Sequence, residues 1–102
     1  MTEPALDCGM RPVHPGEILR DELAELGLSA RAFARALGIP TNRVTQILNE
    51  QRGISADTAL RLARYFGTTP EFWMDLQSDY ELRRARREVG EAIVRNVTPR
   101  AA

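Results

Sequence analysis

Lysine is absent from this chain of 102 residues, and cysteine and histidine occur once each, as Cys8 and His14. A single thiol closes no internal disulfide, and one thiol with one imidazole is too small a ligand set for a zinc site. A catalytic Cys8–His14 pair would lack a third residue to orient the imidazole. Glycine-rich phosphate loops, internal repeats and low-complexity stretches are also missing, and nothing calls for a cofactor. No apolar run approaches the roughly 18 residues that cross a bilayer, and the first residues lack the basic flank and apolar core of a secretory signal. The expectation is a soluble, cytoplasmic, non-enzymatic protein with no membrane partner. With 43% hydrophobic and 27% charged residues, the chain suits one globular domain with a modest core.

All 14 cations are arginine and are matched by 14 carboxylates, but the zero net charge conceals segregation along the chain. Residues 1–28 sum to −4, 29–66 to +4, 67–80 to −3 and 81–102 to +3. Arginine binds phosphate or a guanine edge bidentately, although GC-rich codon usage is the preferred explanation for the missing lysine.

Apolar spacing and punctuation predict five helices. Ile18, Leu19, Leu23 and Leu26 recur at helical intervals behind Pro15, and Gly27 stops the run. Ser29 caps a short second helix with Phe33, Ala34 and Leu37 on one side, ended by Gly38 through a left-handed turn. Val44, Ile47 and Leu48 give a third helix one dry side, with Thr41, Asn42, Arg43, Thr45, Gln46 and Asn49 pointing elsewhere. Ser55 caps a fourth that stops at Gly67. Thr69 and Pro70 open a fifth, extended helix that carries Phe72, Trp73, Leu76 and Tyr80 and runs to about Val89. The organisation expected is a flexible leader over 1–10, a domain over 11–89, and a tail over 90–102. Within that tail, 92–98 alternates weakly, as either a short edge strand paired with 10–13 or a mobile end.

The small residue Ala34, the turn at Gly38 and the apolar underside Val44, Ile47 and Leu48 have the spacing of a helix-turn-helix. The third helix carries amides, hydroxyls and one guanidinium, with no acid before Glu50, where an ordinary surface helix would carry acid–base pairs. Such a face can enter a major groove, which admits one α-helix. The alternative for Thr41 to Gln46 is a solvated face. His14, just before a helix start, is read as a cap or packing residue. "RRARR" at 83–87 is either a contact to DNA flanks or to an acidic partner, or a solvated helix end.

The stretches "HPGE" at 14–17, "ALGI" at 36–39, "RGISADTALRLARYFGTTPEFWMDLQ" at 52–77 and "YEL" at 80–82 resemble the HigA-type antitoxins, or plasmid-maintenance antidote proteins, of the lambda-repressor-like helix-turn-helix superfamily. The likeness runs from about Arg11 to Glu88. It implies an all-α, five-helix, homodimeric repressor of its own operon that binds double-stranded operator DNA and neutralises a RelE-like mRNA endonuclease toxin, HigB. Carried over by position, base contacts fall on Thr41, Asn42, Arg43 and Gln46, with Arg43 foremost. Phosphate contacts fall on Ser29, Arg31, Thr45, Asn49 and Arg52. The dimer contact is placed at Phe72, Trp73, Leu76 and Tyr80, since so small a domain cannot enclose the whole stripe. Two positions depart from the pattern. Glu50 stands where members usually have glycine, which leaves the end of the third helix open. Ala30 replaces a glutamine that braces a phosphate contact in many lambda-type repressors, and Arg31 is the candidate substitute. The alternatives are a stand-alone regulator of the same fold without a toxin, and an interaction module that uses the fifth helix alone.

Overall fold

The computed structural model describes residues 11–101, so the expected leader over 1–10 and Cys8 lie outside the described residues. Five helices follow in order among them: α1 Pro15–Leu26, α2 Ala30–Leu37, α3 Thr41–Leu48, α4 Ala56–Phe66 and α5 Pro70–Asn96. The start signals act locally as expected. Oγ of Ser29 accepts from the Ala32 amide at 3.1 Å, Oγ of Ser55 from Thr58 at 3.3 Å, and Oγ1 of Thr69 from Phe72 at 3.2 Å. α1 is capped by the imidazole, whose Nδ1 accepts from the Gly16 amide at 2.9 Å, so His14 caps and packs at once.

The core is one cluster to which every helix contributes: Leu19 and Leu23 from α1, Phe33, Ala34 and Leu37 from α2, Val44 and Ile47 from α3, Ala59, Leu62 and Ala63 from α4, and Trp73 from α5. Burying side chains such as Val44 and Ile47 stabilises by about 1.5–3 kcal/mol each, which is what holds so short a helix as α3 in place. α1 and α3 approach very closely. A Cβ on Gly16 would lie 2.0 Å from the Ile47 carbonyl oxygen, so only glycine fits there.

α5 differs from expectation. The helix passes through Gly90 to Asn96, and the described residues contain no strand. Glycine inside a helix costs about 1 kcal/mol. Ion pairs one turn apart flank it, Arg84 with Glu88 at 2.9 Å and Arg95 with Glu91 at 3.9 Å, and the good helix formers Glu88, Glu91 and Ala92 lie within two residues of it. The weak alternation over 92–98 is therefore an exposed helix end followed by residues without regular structure.

Candidate nucleic-acid interface

α2 ends at Gly38, whose φ of 72° is the left-handed conformation that turns the chain sharply toward α3. Arg61, on α4, fixes this turn from outside the motif: its Nη1 donates to the carbonyl oxygens of Leu37 at 2.9 Å and Gly38 at 3.3 Å. These are terminal carbonyls that α2 leaves without helical partners.

With Val44 and Ile47 turned inward, the first turn of α3 faces outward. Thr41 and Asn42 are exposed, while Arg43 and Gln46 are half-buried along the same ridge. Pro40 precedes α3 and provides no side-chain cap. Thr45 is half-buried, and its hydroxyl donates to the Asn42 carbonyl at 3.1 Å, a bond internal to the helix. Asn49 is exposed at the C-terminus of α3, and its amide donates to Thr45 O at 2.9 Å. Ser29 and Arg31 lie exposed at the start of α2, and Arg52 lies exposed on the α3–α4 loop. Arg43, Arg52, Gly53, Ser55, Asp57 and Thr58 line an open groove of about 440 Å³, which joins the predicted base-contacting arginine to a predicted phosphate contact.

The end of α3 is settled by a conformation that the sequence left open. Glu50 has φ 60° and is the only non-glycine residue with positive φ among the described residues. Its amide donates to Ile47 O at 3.0 Å, and the next amide, Gln51, reaches Gln46 O at 2.8 Å, the paired bonds that close a helix through a left-handed residue. Glycine is the ordinary occupant of that position. Here Arg20 of α1 holds the carboxylate at 3.1 Å and also donates to the Leu48 carbonyl.

The loop after α3 is anchored from beneath by Gln77 of α5, which is buried. Its Oε1 accepts from the Ile54 amide at 2.7 Å, and its Nε2 donates to Glu81 at 2.8 Å. A Cβ on Gly53 would lie 2.6 Å from that Nε2, so the loop backbone rests on the amide. The His14 ring meets Tyr80 edge-on at 4.8 Å. Burial holds its pKa below the ordinary histidine value, with opposing contributions from Glu50 and a hydrogen bond to the Arg52 backbone. Asp57 is also lowered, chiefly by its hydrogen bond to Arg61.

The expected dimer stripe divides. Trp73 is only 2% exposed, lies tilted against the Phe66 ring at 5.7 Å, and donates its indole N–H to Thr68 Oγ1 at 2.8 Å; it belongs to the chain's own core and has no surface to offer a partner. Leu76 and Tyr80 are half-buried, and Phe72 alone of the four stands largely clear, at 45% exposed. Arg20, Asp57, Arg61 and Gln77 were not anticipated from sequence. The i,i+4 spacing of Asp57 and Arg61 signals their pairing, whereas nothing local signals Gln77.

Residues 19–73 match the helix-turn-helix family. Virulence-associated protein I of Dichelobacter nodosus is 49% identical over 89 residues, 86% of this chain and 82% of that protein. The solved structure of an addiction module antidote protein of the HigA family from Coxiella burnetii is 58% identical with a TM-score of 0.86, covering 89% of this chain and 100% of that one. The Pseudomonas aeruginosa antitoxin HigA, solved with the higBA promoter, is 52% identical with a TM-score of 0.85, again over 89% and 100%.

Proposed function

This chain belongs to the helix-turn-helix family, in its HigA-type antitoxin branch, and from that premise we propose that it is a dimeric, sequence-specific autorepressor that neutralises a RelE-like mRNA endonuclease toxin. It works in the cytoplasm, by binding alone and without chemistry of its own. The reading is carried by the first turn of α3, whose polar groups face outward on a helix held down by buried Val44 and Ile47. The likeness to a HigA solved with promoter DNA supports the same use here.

In this reading α3 lies in the major groove. Asn42 and Gln46 pair with adenine edges and Arg43 with guanine, each good bidentate pair contributing about 1–3 kcal/mol of discrimination. Thr41 contacts the neighbouring base. Ser29, Arg31, Thr45, Asn49 and Arg52 hold the sugar-phosphate backbone and set the register. A twofold dimer presents two such helices about 34 Å apart, one helical turn of duplex. Since Trp73 is internal, the self-contact near the start of α5 centres on Phe72, with the half-buried Leu76 and Tyr80 beside it.

The test is fluorescence anisotropy with the duplex upstream of the protein's own reading frame and a scrambled counterpart, at several salt concentrations. Affinity should fall steeply with salt as counterions are released. Arg43→Ala should reduce the preference for the upstream duplex by about 1–3 kcal/mol, and Arg52→Ala should weaken both duplexes alike. An Arg43→Ala protein that discriminates as the parent does would remove the base-reading assignment. For the toxin arm, co-expression with the reading frame adjacent to its gene should restore growth that this frame alone arrests; no rescue would leave a stand-alone regulator.

A further inference from the structure

Asp57 sits in the first turn of α4, where its carboxylate joins two guanidinium groups from different helices. Oδ1 accepts from Nη1 of Arg43 at 3.2 Å and from Nε of Arg61 at 2.7 Å. Arg61 is itself fixed to the Leu37 and Gly38 carbonyls, so a continuous chain of hydrogen bonds runs from the turn between α2 and α3, through α4, to the side chain at the front of α3. We propose that Asp57 is a positioning residue for sequence readout, aiming the Arg43 guanidinium at its base from a reference point on the turn. This rests on the reading of α3 as the base-reading helix.

Asp57 engages only Nη1 of Arg43, which leaves the Nη2 and Nε donors of the planar fork for a base. An unbraced arginine must give up rotamer freedom when it binds, whereas a braced one has already lost it and points one way. The carboxylate also has an unfavourable side. It stands with Arg52 in the groove lined by the predicted DNA contacts, in a segment with net charge +4, where a negative charge repels phosphate. Asp57 thus acts in two opposed directions: it lowers affinity for any duplex and raises discrimination among duplexes. A side chain kept only to stabilise the fold would repel phosphate in the same way but would leave discrimination unchanged.

Parent, Asp57→Asn, Arg43→Ala and the double variant are titrated against the duplex this protein enriches from a random-sequence library, and against its scrambled counterpart. Asp57→Asn should bind the scrambled duplex more tightly than the parent does, while the ratio of the two affinities falls by roughly tenfold, within the range of one bidentate base contact. In the Arg43→Ala background the same substitution should leave the ratio unchanged, because the group it aims is gone. An Asp57→Asn ratio equal to or above the parent's overturns the proposal, as does an equal loss with Arg43 absent. A parent that enriches no sequence overturns the base-reading assignment itself, a separate outcome. Should Asp57→Asn fail to fold, NMR on the unsubstituted protein decides: rotation of the Arg43 guanidinium about Cζ–Nε should be slowed without DNA, and free rotation refutes the brace.

Discussion

Replacing Glu50 by glycine and, separately, by alanine divides backbone strain from side-chain attraction. Both variants lose the contact with Arg20, a pair whose side chains are 44% and 37% exposed. Exposed pairs of this kind contribute about 0–1 kcal/mol. Only alanine keeps a Cβ at φ 60°, where left-handed backbone costs about 1–2 kcal/mol. Glycine's greater freedom in the unfolded chain returns about 0.4–1 kcal/mol to alanine. The balance leaves glycine ahead by about 0.5–1 kcal/mol, a difference of roughly 2–8 °C in Tm for a domain of this size. In a helix interior the order is the reverse, by a similar amount. Urea titrations followed by far-ultraviolet circular dichroism, with m held common, give the ranking. Alanine equal to or above glycine would mean that the left-handed residue carries no strain and that the closure of α3 has been misread.

Gly16→Ala should destabilise by about 3 kcal/mol or more, since the clash is with the Ile47 backbone and no side chain can yield; a loss under about 0.5 kcal/mol in the same titration would contradict the close approach of α1 and α3. For His14, burial lowers the folded-state pKa, so the unfolded chain binds the proton more readily. Its contribution is complete above the unfolded value of about 6.5 and is lost as pH falls through the folded one. Thermal melts between pH 7.5 and 5 should show a decline that His14→Asn, which keeps a capping acceptor, abolishes; an identical slope would assign the decline elsewhere. Trp73→Ala should cost about 3–5 kcal/mol as a core deletion, whereas Phe72→Ala should leave stability within about 1 kcal/mol and shift sedimentation toward monomer. An unchanged dimer with Phe72→Ala would move the self-contact away from the start of α5.

Four of the five helix starts were legible because each rests on short-range devices: Pro15, Ser29, Ser55, and Thr69 with Pro70. The inward face of α3 was legible too, since Val44 and Ile47 leave nothing else to cover the underside of so short a helix. What escaped is decided at a distance. Gly90 reads as a stop, yet flanking ion pairs carry α5 past it. Trp73 is one residue from Phe72, and a strip of large apolar residues does not disclose which member turns inward; the hydrogen bond to Thr68 and the ring contact with Phe66 decide it. The polar front of α3 was recognisable by composition, but the partner of Arg43 lies 14 residues along the chain and belongs to another helix.

The Ile54 amide donates its hydrogen bond to the Gln77 side chain, which comes from a helix the loop does not otherwise belong to. Deuterium can therefore replace that proton only when α5 lifts from the loop or the whole domain opens. A single resonance then times the detachment of the long helix from the segment that carries Arg52, with no label added and no residue changed.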